Sequence, residues 1–205
     1  VDDLGVANKS IQPFFALSWH DAPEKQLRRS KLYANENFRE INTFKSNKIK
    51  SLNNKIKVGY FSNDFYNHAI MYLMSGMLEN HNHKIFEIFI FSYGPNKNDL
   101  MNKKAREFSD HYIDIRGLSI NEILEITKKI ELDIAIDLKG YTKKTLTKIF
   151  QYRIAPIQIN FLGYPGTLGV DFIDYIIADP IIIPEDQKHF YHEKIIYLPH
   201  TYQPN

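Results

Sequence analysis

From Ile56 onward the sequence alternates short runs of Ile, Phe, Val and Tyr with longer stretches whose apolar residues recur at helical spacing. This alternation constrains the fold more than any other feature of the chain. A short continuous apolar run suits a strand buried on both faces, and such burial requires helices on either side of a parallel sheet. Strands are predicted at 56–61, 86–93, 111–115, 132–138, 157–161 and 175–178, with helices at 71–79, 99–108, 119–130 and 145–151. The stretch 119–130 shows the pattern well. Ile120, Ile123, Leu124, Ile126 and Ile130 form one apolar stripe, and Glu122, Glu125, Lys128 and Lys129 can face water. The predicted fold is α/β, a doubly wound parallel sheet.

Around this unit the chain divides into further parts. Residues 1–45 read as a leading helical segment, in which Asp21-Ala22-Pro23-Glu24 sets a capping residue before a proline tolerated in a first helical turn. A helix is predicted there at 23–35. Residues 46–55, rich in Lys, Asn and Ser, read as a linker. The sheet unit spans 56–180, and 181–205 reads as a connection towards a second lobe. A first residue other than methionine suggests a piece of something longer.

Composition narrows the function classes. With 26 Lys and Arg against 24 Asp and Glu, the formal charge of +2 gives no field that argues for a nucleic-acid partner. The absence of cysteine removes disulfides, thiolate catalysis and cysteine-ligated metals, and fits a cytoplasmic setting. No apolar stretch approaches the roughly 20 residues of a membrane helix.

In open α/β sheets ligands bind beyond the carboxyl ends of the strands, so the loops after each apolar run carry the chemistry. Ser62-Asn63-Asp64-Phe65-Tyr66-Asn67-His68 follows the first run, Lys139-Gly140-Tyr141-Thr142 the fourth and Gly163-Tyr164-Pro165-Gly166-Thr167 the fifth. Asp64, Asn67 and His68 bring a carboxylate, an amide and an imidazole to one helix start, where acid–base groups can reach a hydroxyl. Asp64 or Asn67 equally suits a helix cap, and the two roles can coexist. Tyr164-Pro165-Gly166-Thr167 is a turn sequence. His81-Asn82-His83 lacks the ligand set of a metal site and reads as a solvated loop. Neither G-x-G-x-x-G after the first strand nor G-x-x-x-x-G-K-[ST] occurs, so most contacts to any nucleotide diphosphate should come from elsewhere.

The segments Lys57 to His68, Asp137 to Thr142, Arg153 to Gln158, Leu162 to Thr167, Asp174 to Asp179 and Tyr197 to Pro199 resemble, in order, the conserved blocks of the O-linked N-acetylglucosamine transferase and SPINDLY family, glycosyltransferase family 41. The resemblance covers roughly 56–205 and is strongest with members of bacterial type. It implies one Rossmann-like lobe, the amino-terminal one, of a two-lobed GT-B glycosyltransferase. The second lobe would supply most diphosphate contacts, and tetratricopeptide repeats can precede the pair.

The implied reaction is inverting transfer of N-acetylglucosamine from UDP-N-acetylglucosamine to Ser or Thr hydroxyls of proteins, with no metal or other cofactor, and with this chain inactive by itself. Asp64 and His68 match the family's catalytic positions. Asn67, Leu73, Tyr141, Leu162, Gly163 and Pro165 are the implied substrate-binding residues. Ala69, Ile70 and Tyr72 stand where animal members carry a Pro-Thr pair and a second histidine, which leaves SPINDLY-like transfer of fucose from GDP-fucose as an alternative. A non-catalytic protein-binding lobe is another. The register around His20 is too loose to carry over the base proposed before the first strand of animal members.

Overall fold

The computed structural model of the chain describes residues 5–6, 9–19, 21–39 and 54–204. His20 and all but the last two positions of the predicted linker lie outside the described residues. A two-residue antiparallel pair, β1 (Gly5–Val6) with β2 (Lys9–Ser10), precedes a short helix α1 (Pro13–Ala16) and a longer α2 (Pro23–Asn37). Helix α2 begins on its proline as expected. Its N-cap is Ala22 rather than Asp21, and no side chain caps it.

The predicted sheet follows as β3 (Ile56–Ser62), helix α3 (Ala69–Glu79), β4 (Phe86–Ser92), α4 (Leu100–Glu107), β5 (His111–Asp114), α5 (Ile120–Ile130), β6 (Ile134–Asp137), β7 (Ile157–Asn160) and β8 (Tyr175–Ala178). A seventh strand, β9 (Lys194–Tyr197), pairs in parallel with β8. Its residues were expected in an irregular connection. A run of two apolar residues between Lys194 and Tyr197 is too short to declare itself, and only pairing makes it a strand. The helix expected at 145–151 is a 3-10 helix, Thr147–Tyr152.

Strand order is β5-β4-β3-β6-β7-β8-β9, and every neighbouring pair is parallel. Alternation along the strands divides the core in two. Val58 and Tyr60 of β3, Ile88 and Ile90 of β4, and Ile136 of β6 face α3 and α4, represented by Met71, Met74, Leu78, Met101 and Ala105. Phe61, Phe89, Phe91 and Ala135 face the opposite side, against Ile123 of α5, Ile149 and Phe150 of the 3-10 helix, and Ala34 of α2. Each fully buried Phe or Ile contributes about 1.5–3 kcal/mol. The Phe61 and Phe91 rings stack at 4.3 Å between centroids.

Helix α5 starts from a complete capping box. The Ser119 hydroxyl accepts the Glu122 N–H at 3.3 Å, and Glu122 accepts the Ser119 N–H at 2.8 Å. Ser119→Ala should lower stability by about 1 kcal/mol, or roughly 2–4 °C in melting temperature, by calorimetry. An unchanged melting temperature would mean the box adds nothing to the bonds water supplies.

Candidate functional site

The chain lays down β3, β4 and β5 outward in one direction, then returns to place β6 on the other side of β3. The crevice beyond the carboxyl ends of β3 and β6 is therefore the topological switch point, where flanking connections leave in opposite directions and open a cleft. Ser62, Asn63 and Asp64 continue β3 into this crevice, and all three are buried.

Asp64 is held firmly there. Its N–H donates to Ser62 Oγ at 3.0 Å, and its Oδ2 accepts from Lys139 Nζ at 2.5 Å. Lys139, two residues beyond β6, is itself buried. The pair thus bridges the two strands that flank the switch point. His68 Nδ1 lies 3.7 Å from the same carboxylate oxygen, with the imidazole about two-fifths exposed (39%). Capping of α3 falls to His68, whose Nδ1 accepts the Ile70 N–H at 3.3 Å.

Neither Asp64 nor Asn67 caps α3. Asn67 instead ties the loop to α4: its N–H donates to the Asp99 carboxylate at 3.0 Å, and its Oδ1 accepts from Met101 N–H at 3.3 Å. Asn102 adds a bond from Nδ2 to the Phe65 carbonyl at 2.7 Å. Beside them, burial first, then Asp64 and Asp99, raise the Tyr66 hydroxyl above its ordinary pKa.

The loop after β7 meets the same crevice. Gly163 N–H donates to the Phe161 carbonyl at 2.9 Å across Leu162, whose φ is +73°, giving a tight turn that few side-chain-bearing residues adopt. A Cβ on Gly163 would stand 2.2 Å from the Leu138 carbonyl oxygen and 3.5 Å from Ile70 Cδ1. The loop after β6, the first turn of α3 and Gly163 are therefore in contact. Leu162 is buried in the core on the α3 side, and Leu73, one turn beyond Ile70, is half-buried against it. Half-buried Pro165 accepts the Tyr191 hydroxyl on its carbonyl at 3.3 Å. Just beyond, buried Glu193 accepts from Thr167 Oγ1 and Leu168 N–H, both at 2.6 Å. Burial pushes the Glu193 carboxyl up, and those two bonds oppose the rise.

Tyr141 does not join this group. Its ring is fully buried on the opposite face of the sheet, 4.8 Å from the Tyr33 ring, and its hydroxyl donates to the Leu168 carbonyl at 2.6 Å. Gly140, at φ +50°, turns the chain between Lys139 and Tyr141, so the two side chains leave the loop towards different sides. The loop had been singled out for Tyr141, yet its contribution to the crevice is Lys139. A lysine directly after a buried strand was the signal that could have identified it. Asp137, at the end of β6, is raised by burial and held by Thr147 Oγ1 at 2.5 Å and Lys139 N–H at 2.9 Å. It fixes the loop from below.

Other candidates resolve as structural. His81 Nε2 is 2.9 Å from the Tyr60 hydroxyl, and His83 pairs with Asp110. No cluster of three or more potential metal ligands occurs among the described residues. A cavity of about 430 Å³ opens on the far side of the Pro165 loop, lined by Trp19, Gly166, Ile182 and Tyr191 among others, and neither Asp64 nor His68 borders it. No helix among the described residues is long and apolar enough to cross a membrane.

Residues 32–203 match the profile of Glycosyl transferase family 41. The chain is 34% identical over 151 residues to a probable UDP-N-acetylglucosamine–peptide N-acetylglucosaminyltransferase SEC of Arabidopsis thaliana, covering 74% of this chain and 16% of that protein. It is 35% identical over 151 residues to the UDP-N-acetylglucosamine–peptide N-acetylglucosaminyltransferase of Caenorhabditis elegans, covering 72% and 13%. A probable UDP-N-acetylglucosamine–peptide N-acetylglucosaminyltransferase SPINDLY of Arabidopsis thaliana is 27% identical over 154 residues, covering 74% and 17%. The chain thus spans less than a fifth of each of these relatives. Among solved structures, a K341M mutant of the Thermobaculum terrenum O-GlcNAc transferase superposes with a TM-score of 0.86 at 22% identity, covering 93% of this chain and 37% of that one. The superposition speaks to the fold.

Proposed function

The chain belongs to glycosyl transferase family 41, and from that premise we propose that it is the amino-terminal lobe of a protein O-GlcNAc transferase. In this reading it holds the sugar side of UDP-N-acetylglucosamine while a second lobe holds the diphosphate. The relatives reported above, the SPINDLY one included, are all named for UDP-N-acetylglucosamine, which supports that donor over GDP-fucose. The observation that carries the reading is the meeting of Asp64, His68 and the Leu162-Gly163 turn at the switch point.

Each residue has a role in this proposal. His68 presents its exposed imidazole edge to the donor and acceptor hydroxyl, with Nδ1 turned back onto α3. Asp64, paired with Lys139, fixes the loop that carries His68. The Leu162-Gly163 turn brings backbone and an apolar side chain towards the sugar, Leu73 backs it, and Pro165 closes the rim. Asn67 anchors the loop to α4. The lack of a glycine-rich phosphate loop is consistent with a diphosphate held by another lobe.

The test is transfer by the intact protein from UDP-N-acetylglucosamine to a Ser- and Thr-containing peptide, followed by mass spectrometry, with GDP-fucose as competing donor. Transfer of N-acetylglucosamine is expected, with a roughly hundredfold loss in His68→Ala, the usual scale for an acid–base or charge-stabilising group. Exclusive use of GDP-fucose would replace the donor. Full activity in the variant would reduce His68 to a helix cap.

A further inference from the structure

One carboxylate oxygen at the switch point has two nitrogens within reach. Asp64 Oδ2 accepts from Lys139 Nζ at 2.5 Å and lies 3.7 Å from His68 Nδ1. That Nδ1 in turn accepts the Ile70 N–H at 3.3 Å, which a ring nitrogen does only while it carries no proton. Building on the role given to His68 above, we infer that Lys139 is a positioning residue that sets which ring nitrogen of His68 carries the proton. By neutralising the Asp64 carboxylate it weakens that anion's pull on a proton at His68 Nδ1. Nδ1 stays bare as the cap of α3, and the ring proton sits on Nε2, the other edge of a partly exposed imidazole.

The physical case rests on burial. Asp64 and Lys139 have side chains only 3% and 9% exposed, so water cannot stand in for either charge. Remove the ammonium, and the carboxylate must recruit the nearest group able to donate. His68 is that group among the described neighbours, since its Nδ1 already lies 3.7 Å from Oδ2. The neutral His68 ring would exchange tautomer through water, releasing its proton at Nε2 as it gains one at Nδ1, close the 3.7 Å gap and surrender the cap on Ile70. The edge facing the cleft would change its proton with it. Second-sphere control of which ring nitrogen is protonated is the general way an imidazole is prepared for its task.

The experiment is long-range nitrogen–proton correlation spectroscopy of histidine-labelled intact protein at neutral pH. Wild type should show a bare Nδ1 at His68, Lys139→Met a protonated Nδ1, and the double variant Asp64→Asn/Lys139→Met a bare one again. Lys139→Gln carries the same expectation as Lys139→Met should the methionine variant not fold. A protonated Nδ1 in wild type, or a bare Nδ1 once the cation is gone, overturns the inference. A merely structural Lys139 would lower the melting temperature and leave the tautomer alone. In the transfer assay Lys139→Met should lower kcat roughly a hundredfold with little change in donor KM. Absence of transfer in wild type would count against the proposed function alone, because the spectra read Lys139 without it.

Discussion

Gly94→Ala is expected to cost about 3 kcal/mol or more, near the upper end for overpacking a rigid site, and to abolish sugar transfer. The position follows β4, where the chain crosses directly over the end of β3. A Cβ there would stand 1.7 Å from the Asn63 carbonyl oxygen and 2.5 Å from its carbon. The obstacle is backbone, so no rotamer change relieves it. The two segments must separate by more than an ångström, yet Tyr93 N–H is bonded to the Ser62 carbonyl at 3.2 Å immediately beside the contact. Asp64 is the next residue, so the displacement would pull the carboxylate from Lys139 and shift His68. A melting temperature lower by roughly 6–12 °C, with loss of transfer in whatever fraction stays folded, is the expected result. Gly76→Ala supplies the contrast. Gly76 lies inside α3 with nothing within 4 Å of its Cβ position, and alanine there should be neutral or stabilising by up to about 1 kcal/mol. Equal losses in both variants would show that the clash at Gly94 is absorbed.

What the sequence made legible, and what it did not, follows from the range of the interactions concerned. Strands β3, β4 and β8 and helix α5 announce themselves because their burial is written in consecutive residues or in one apolar stripe. Strand β9 does not, since Lys194 and the half-exposed Ile196 leave an edge strand with little apolar signal. The crevice itself was legible through the loops that follow the apolar runs, which assign Asp64, His68 and Gly163 to one edge. The side on which a loop residue emerges was not. Tyr141 and Lys139 are two positions apart around Gly140, and only the left-handed turn at that glycine sends the aromatic ring into the core and leaves the lysine at the switch point. Gly94-Pro95 reads locally as a turn, but the contact of Gly94 with Asn63 spans thirty-one positions and nothing local announces it.

Asp64→Ala should be among the most damaging single charge changes at the described residues. Lys139 Nζ bonds only to Asp64 among the described side chains, and both groups lie at the crevice floor. Forming such a pair adds little net stability, because desolvation offsets most of the attraction. Breaking it is another matter: the remaining ammonium keeps its desolvation cost and loses its bonded counter-charge, with buried Asp137 offsetting only part of the loss, a penalty of up to about 3–5 kcal/mol. Screening by salt is weak at buried sites, so added sodium chloride should not restore the loss. The double variant Asp64→Ala/Lys139→Met removes both charges and should recover most of the melting temperature while transfer stays lost. That separation distinguishes a group needed to place His68 from one needed only for folding. Calorimetry on wild type, the single variant and the double variant measures the first half, and transfer by the same proteins the second. If the double variant regains transfer along with stability, Asp64 matters only as the partner of Lys139, and the chemistry must rest on His68 and the second lobe.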